Sequence, residues 1–404
     1  MELRSSPLES SASRPVPTSG LARIIAGAIP RPRTGRLVLV LPNGARIEHA
    51  GDDPGPVAAI TFNRWRGLWR MRLNGERGFA DGFLDADWTA RDLPALLAFF
   101  AANESVFSAS ARNTRLANLR HRIQHTSHAN TRRGSRRNIA AHYDLGNAFY
   151  EHWLDRGMNY SSALYSGDAT LEAAQDAKLD RVVKLLEVDS AKTVLEIGCG
   201  WGALAERLVD QCAEFTGVTL SREQLAYARE RLDQRADGRP PSLRLEDYRD
   251  IAGRFDRIAS IEMLEAVGER YWPLYFERLH ALLAPGGIAV LQVITIAEGR
   301  FEHYRNHPDF IQRHIFPGGM LPTARRVEAE AARAGLVLDA RQDFGESYAR
   351  TLAEWRRRFL AAWGEIRTLG FDERFRRMWE YYLAYCETGF SSGRIDVSLF
   401  RFRK

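Results

Sequence analysis

Residues 194–205 read Val-Leu-Glu-Ile-Gly-Cys-Gly-Trp-Gly-Ala-Leu-Ala, and the organisation of the chain follows from them. Val194, Leu195 and Ile197 form an apolar run suited to a buried parallel strand. Gly198, Gly200 and Gly202 let the backbone turn sharply and approach a ligand where a Cβ would collide. From Ala203 to Leu208 the pattern becomes helical. Strand, glycine turn and helix start make the first unit of a doubly wound α/β sheet, with the ligand expected over the carboxyl end of the strand.

Outward from this unit, strands and helices alternate. Thr170 is placed to cap a helix that includes Lys178–Leu186. Strands are expected at 215–220, 243–245, 255–261 and 288–296, with helices at 222–232 and 271–283 between them. Two more strands, 336–340 and 397–401, would close a mostly parallel sheet covered on both faces. Insertions interrupt the pattern near 299–322 and 351–390. The second carries Trp355, Phe359, Trp363, Phe375 and Trp379 at helical spacing. Such a stripe reads either as core or as the cover of an acyl chain.

N-terminal to this lies a different composition. Residues 1–20, rich in Ser and Pro, read as a disordered tail with no signal-peptide core. Residues 21–110 read as a small α+β domain. It has a short helix at 21–28 and a hairpin turning at Pro42-Asn43-Gly44. Strands are expected at 58–62 and 69–73, and a helix starts at Asp92. The alternation of Trp69, Met71 and Leu73 with Arg70 and Arg72 suggests the strand at 69–73. Residues 111–138 form a basic connector, and 139–404 the larger domain.

The chain has 404 residues, enough for two cores, and a formal net charge of +6. Between Glu104 and Asp144 there is no acid, while eight arginines occur, at 112, 115, 120, 122, 132, 133, 136 and 137. By charge alone this run suits a solvated linker, a nucleic-acid patch or an anionic lipid surface. Few aromatics interleave with it to stack on bases. Three cysteines cannot all pair and show no metal spacing, so a reducing, cytoplasmic setting is expected. No apolar run is long enough to cross a bilayer.

The G-x-G-x-G spacing after Glu196 resembles motif I of the S-adenosylmethionine (SAM) methyltransferases rather than the G-x-G-x-x-G of dinucleotide folds. An ordered set of further segments resembles the cyclopropane-fatty-acyl-phospholipid synthases and their mycolic-acid relatives. These are His142-Tyr143-Asp144-Leu145-Gly146-Asn147, Tyr160-Ser161-Ser162-Ala163, Gly217-Val218-Thr219-Leu220-Ser221 and Asp247-Tyr248-Arg249-Asp250. Met263-Leu264-Glu265-Ala266-Val267-Gly268, Ile315-Phe316-Pro317-Gly318-Gly319, Phe344-Gly345 with Tyr348, and Tyr381-Tyr382 with Cys386 complete it. Gly78-Phe79-Ala80-Asp81-Gly82 extends the likeness weakly into the first domain.

The resemblance implies a SAM-dependent, Rossmann-like methyltransferase that docks on the inner face of a membrane. It would draw an unsaturated acyl chain into a pocket and methylate the cis double bond. A cyclopropane or a methyl-branched chain would result, depending on which proton is lost. The implied partners are an anionic phospholipid surface and the acyl chain, with no nucleic acid; an oligomer is left open. The implied cofactor residues are Tyr160, Ser161, Glu196, Gly198, Gly200, Thr219, Leu220, Gln224, Asp247 and Tyr248. From the residues alone, Thr219 and Gln224 read as a helix cap and a surface side chain.

For the base, the resemblance implies a bicarbonate ion held by Ser162, Glu265, Gln292, the backbone of Ile294, and Tyr348. Here the chain departs from the pattern: Ser162 stands where Cys is usual, Gln292 where His is usual, and Ala266 replaces a neighbouring His. Neutral Ser and Gln can hydrogen-bond an anion but shuttle no proton. Methyl transfer is therefore better supported than ring closure. Cys386 aligns near the active site; a buried structural thiol is the alternative. A small-molecule N-methyltransferase and a degenerate SAM- or lipid-binding protein are the rival readings.

Overall fold

The computed structural model describes residues 20–111, 145–233 and 241–404. Residues 1–19 of the expected tail at 1–20, the arginine run and His142–Asp144 lie outside the described residues. The chain divides into two compact units, Met1–Asn113 and Thr114–Lys404.

In the first unit α1 (Gly20–Ala28) precedes β1 (Thr34–Val40), β2 (Arg46–Ala50) and β3 (Asp53–Phe62). Next come α2 (Trp65–Leu84), β4 (Trp88–Ala90), α3 (Leu93–Ala102) and α4 (Glu104–Ala111). The strands form one sheet in the order β2-β1-β3-β4. β1 and β2 pair antiparallel across the Asn43-Gly44 turn, where Gly44 takes φ +81°. Asp92 caps α3 by accepting the Ala95 N–H at 2.9 Å.

The expected strand at 69–73 is instead part of α2, and side-chain pairing explains why. Arg66 and Arg70, four apart, share a helical face and both reach the fully buried Asp87. Arg70 also pairs with Asp85 at 2.6 Å. Trp65, Trp69 and Leu73 recur at the same spacing on another face and are 37%, 61% and 63% exposed. Spacing by four, not alternation, was the signal that mattered.

The second unit contains α5 (Asn147–Glu151), α6 (Leu171–Leu186), β5 (Thr193–Ile197), α7 (Ala203–Leu208), β6 (Glu214–Thr219), α8 (Arg222–Asp233) and β7 (Ser242–Leu245). It continues with β8 (Phe255–Ile261), α9 (Trp272–Leu282), β9 (Leu283–Ile296), α10 (Phe301–Asn306), α11 (Phe310–His314), α12 (Ala324–Arg333) and β10 (Val337–Asp343). Finally come α13 (Gly345–Ala361), α14 (Trp363–Thr368), α15 (Glu373–Ser391) and β11 (Ile395–Arg403). The sheet order is β10-β11-β9-β8-β5-β6-β7. β9, β8, β5, β6 and β7 run parallel, while β11 is antiparallel to both its neighbours.

After β5 the chain moves outward to β6 and β7, then returns to place β8 on β5's other side. That reversal opens a crevice at the carboxyl end of β5, where doubly wound sheets bind ligands. Leu195, Ile197, Val218, Ile258, Leu279, Leu291 and Val293 belong to the core cluster that fixes the strands beneath it. Thr170 caps α6 by accepting the Ala173 N–H. The two insertions are helical: α10 and α11 in the first, and α13 to α15 spanning the second.

Candidate active site

The expected cofactor residues cluster because β5, β6 and β7 are neighbours whose carboxyl ends face the same way. Glu196 is buried on β5, and its Oε2 lacks a hydrogen-bond partner. Burial pushes its carboxyl up to about 8. Gly198 and Gly200 follow with φ +86° and +52°. A Cβ on Gly200 would meet nothing within 4 Å, so the loop offers bare backbone to the crevice.

Thr219 ends β6, and its hydroxyl hydrogen-bonds Gln224 Oε1 at 2.9 Å. Both side chains are buried, so Gln224 is no surface residue. Leu220 is half-buried beside them. Asp247, just beyond β7, is held by the Arg249 guanidinium at 2.7 Å through each carboxylate oxygen. The buried Tyr248 hydroxyl has no partner, and burial raises its pKa to about 12.

Ser161 Oγ accepts from Lys178 Nζ at 2.9 Å. That lysine is fully buried, and desolvation lowers its pKa to about 8 against the pull of Glu262, Asp155 and Glu196. Tyr160 shares a 2.8 Å hydrogen bond with the Tyr382 hydroxyl. Its ring packs against Tyr150, Trp153 and Trp355. Trp379 and Phe149 continue this aromatic layer. The stripe at 351–390 is thus packed core where α13 and α15 meet α5, and it borders the site through Trp355 and Tyr382.

The expected catalytic residues converge, but around a residue that the sequence reading passed over. Glu262 follows β8 directly, and the register sets Ile261 opposite Gln292 on β9. Glu262 Oε1 accepts from the Ser162 backbone N–H at 2.8 Å and from Gln292 Nε2 at 2.7 Å. Its Oε2 accepts from the Tyr348 hydroxyl at 2.7 Å. Glu262 also holds φ +49°, a left-handed conformation costing a non-glycine residue roughly 1–3 kcal/mol. Met263 lies against the glycine loop: a Cβ on Gly198 would stand 3.4 Å from its Cγ.

Glu265 sits one turn on. Its Oε1 accepts from the Ile294 backbone N–H, while its Oε2 is sealed from solvent without a partner. Burial and the neighbouring Glu262 charge push Glu265 up to about 8. Desolvation raises Glu262 too, opposed by its three donors and by Lys178. Glu262 has three hydrogen-bond donors that favour its carboxylate, whereas Glu265 has one and is pushed toward its neutral acid.

Cys386, on α15, is within electrostatic range of Tyr348 and Tyr382. Burial drives its thiol upward, so it is a neutral packing group rather than a nucleophile. Among the described residues no group of His, Cys, Asp and Glu could hold a metal ion.

The residue pattern of the mycolic acid cyclopropane synthetases matches this chain over residues 130–400. The chain belongs to that family. It is 38% identical over 338 residues to the tuberculostearic acid methyltransferase UfaA1 of Mycobacterium tuberculosis, covering 81% of this chain and 79% of the relative. Against the cyclopropane-fatty-acyl-phospholipid synthase of Escherichia coli K12 the identity is 38% over 257 residues, 63% of this chain and 65% of that one. A solved mycolic acid cyclopropane synthase, CmaA1 complexed with SAH and CTAB, superposes with a TM-score of 0.63 at 31% identity, covering 67% of this chain and 98% of that one.

Within this family frame, the bicarbonate expectation needs correction. Ser162 Oγ donates to the Ala163 carbonyl and offers no hydroxyl to an ion. The Ser162 N–H, the Gln292 amide and the Tyr348 hydroxyl are all engaged by Glu262, and the Ile294 N–H by Glu265. A second anion on those donors would meet the Glu262 carboxylate, so the residues present do not fit bicarbonate. The signal for Glu262 was the Glu262-x-x-Glu265 spacing of paired carboxyls. Lys178, also missed, showed itself only as a basic residue on the mostly apolar buried face of α6.

Proposed function

We propose that this protein is a SAM-dependent C-methyltransferase acting on the cis double bond of an unsaturated acyl chain in membrane phospholipid. The observation that carries this reading is the half-buried Glu262, its carboxylate held by three donors beside the glycine loop. SAM, when bound, supplies an electrophilic methyl group. The residues present suit it: bare backbone at Gly198 and Gly200, the unpartnered Glu196 Oε2, and Thr219, Leu220, Gln224, Asp247 and Tyr248 around the carboxyl ends of β5 to β7. Tyr160 and Ser161 would close over it from the segment preceding α6.

An alkene is a weak nucleophile, so methylation needs close, oriented and dry contact with the methyl donor. The aromatic layer of Tyr160, Trp355 and Tyr382 excludes water on that side. Ring faces also stabilise positive charge developing on the chain by roughly 2 kcal/mol when desolvated. Ser162, Gln292 and Tyr348 orient Glu262, and Glu265 and Ile294 complete the wall.

The product follows from which proton is lost. With Ser162, Gln292 and Ala266 replacing the usual Cys and His residues, no imidazole guides a base to the new methyl. A methyl-branched olefin is the product this arrangement favours. Of the two relatives, the one matched over the greater length is named a methyltransferase, which supports the same reading.

The protein would work peripherally on an anionic membrane surface from the cytoplasmic side. Among the described residues no helix is long and apolar enough to cross a membrane. Support comes from the exposed Trp65, Trp69 and Leu73 beside arginines on α2, an interfacial pattern, and from the acid-free arginine run. Each Lys or Arg near anionic headgroups adds about 1 kcal/mol. Incubating the protein with labelled SAM and vesicles of a monounsaturated phosphatidylglycerol tests the proposal. Label in the acyl chain supports it, and label confined to soluble amines would replace it with N-methylation.

A further inference from the structure

We infer that the Glu262 carboxylate is the base that removes the proton after methyl transfer, so that this enzyme carries its own anion and needs no bicarbonate. The inference rests on the acyl-methylation reading above and adds to it the identity of the base.

Geometry carries the argument. Three donors from three distant parts of the chain close on one carboxylate: the Ser162 N–H, Gln292 Nε2 and the Tyr348 hydroxyl, at 2.8, 2.7 and 2.7 Å. Oε1 takes two of these hydrogen bonds. Oε2 takes one and keeps a lone pair for a proton. The backbone cost of φ +49° is tolerated here by a glutamate, where glycine would adopt it freely. An observed left-handed residue in a crevice points to a side chain retained for its chemistry.

The groups facing it are consistent with a working carboxylate. Lys178 is buried nearby, its ammonium electrostatically coupled to Glu262, and the neighbouring Glu265 is pushed toward its neutral form. Met263, the next residue, lies against Gly198, so Glu262 stands at the loop that would hold the methyl donor.

The step balances without an oxidant or reductant. When the alkene π pair bonds to the methyl carbon of bound SAM, the bond from that carbon to sulfur would break, its electron pair staying on sulfur as the neutral thioether, and the other alkene carbon becomes electron-deficient. A C–H bond adjacent to it breaks, and its electron pair forms the new C=C bond. The proton passes to Glu262 Oε2, which becomes the carboxylic acid and later returns the proton to solvent. If the broken bond belonged to the new methyl, the same pair would close a ring.

The test uses the full-length protein, monounsaturated phosphatidylglycerol vesicles, labelled SAM and buffer stripped of carbon dioxide. Wild-type turnover should be unchanged by added bicarbonate. Glu262→Gln should lose a factor of roughly a hundred or more in turnover while binding SAM within about threefold of wild type. Glu262→Gly relaxes the left-handed backbone and frees the three donors. It should be inactive in stripped buffer and regain at least about tenfold on adding bicarbonate or formate.

Independently of activity, carbon-13 bicarbonate should show exchange broadening with Glu262→Gly and none with wild type. Wild-type turnover that collapses in stripped buffer and returns with bicarbonate would overturn the inference. So would near-normal turnover in Glu262→Gln, or carbon-13 bicarbonate binding to wild type that Tyr348→Phe weakens. If wild type labels no lipid under any condition, the acyl-methylation reading fails. The carbon-13 arm still decides whether Glu262 fills the anion site.

Discussion

Replacing Glu265 by glutamine isolates the charge state of the carboxyl pair. In the folded protein Glu265 titrates near 8, raised from the ordinary 4.5 by burial and by Glu262. A carboxyl raised in this way favours the folded state when protonated. Its contribution is fully present below about pH 4.5 and is lost as pH rises toward about 8. Glutamine keeps the neutral form and the acceptor for the Ile294 N–H, so the variant does not titrate there. The stability gap should therefore move in favour of Glu265→Gln as pH rises.

One proton corresponds to about 1.4 kcal/mol per pH unit, or roughly 2.7 kcal/mol between pH 5 and 7. Glu265 Oε2 is sealed, but the residue as a whole is only half-buried, so solvent screens part of this and roughly 1–3 kcal/mol is expected. Urea unfolding of both proteins at pH 5, 6, 7 and 8, followed by tryptophan fluorescence, measures the gap directly. A gap constant across that range would refute the upward shift of Glu265.

Gly200→Val should abolish SAM binding by calorimetry while circular dichroism shows a folded protein. The residue holds φ +52° and its Cβ would enter open crevice. Tyr348→Phe removes one of three donors to Glu262 and should lower turnover about tenfold or more, with SAM affinity retained. Vesicle binding should fall steeply with salt and when Arg132, Arg133, Arg136 and Arg137 become glutamine. Trp69→Ala with Leu73→Ala should weaken it at every salt concentration; binding to neutral and anionic vesicles alike would argue against the electrostatic part.

Much of the scaffold was legible because it rests on local signals. The apolar run and glycine spacing at 194–202 marked β5 and its loop, Thr170 and Asp92 marked helix starts, and Asn43-Gly44 marked the hairpin. Residues 69–73 misled because short alternation fits a strand as well as it fits one turn of helix. Only the pairing of Arg66 and Arg70 with Asp87, which depends on β4, resolves it.

The site divides in the same way. Glu265, Gln292, Ile294 and Tyr348 were legible through family likeness. Glu262 was passed over: its one local signal, the Glu262-x-x-Glu265 spacing, fits an acid on the surface after a strand as well as it fits a site carboxylate. Its meaning comes from Gln292, Tyr348 and Ser162, which lie 30, 86 and 100 residues away in the chain. Thr219 and Gln224 show the same limit, since their mutual hydrogen bond exists only once β6 and α8 are packed.

The most direct test of the account is the fate of deuterium from SAM carrying a trideuterated methyl, incubated with the protein and a monounsaturated phosphatidylglycerol. Methyl transfer followed by loss of a chain proton predicts an acyl chain that retains all three deuteria and takes up hydrogen under mild catalytic hydrogenation. An acyl chain with two deuteria that resists hydrogenation would contradict the branched product. Deuterium recovered in a soluble amine, with none in the lipid, would contradict acyl-chain methylation itself.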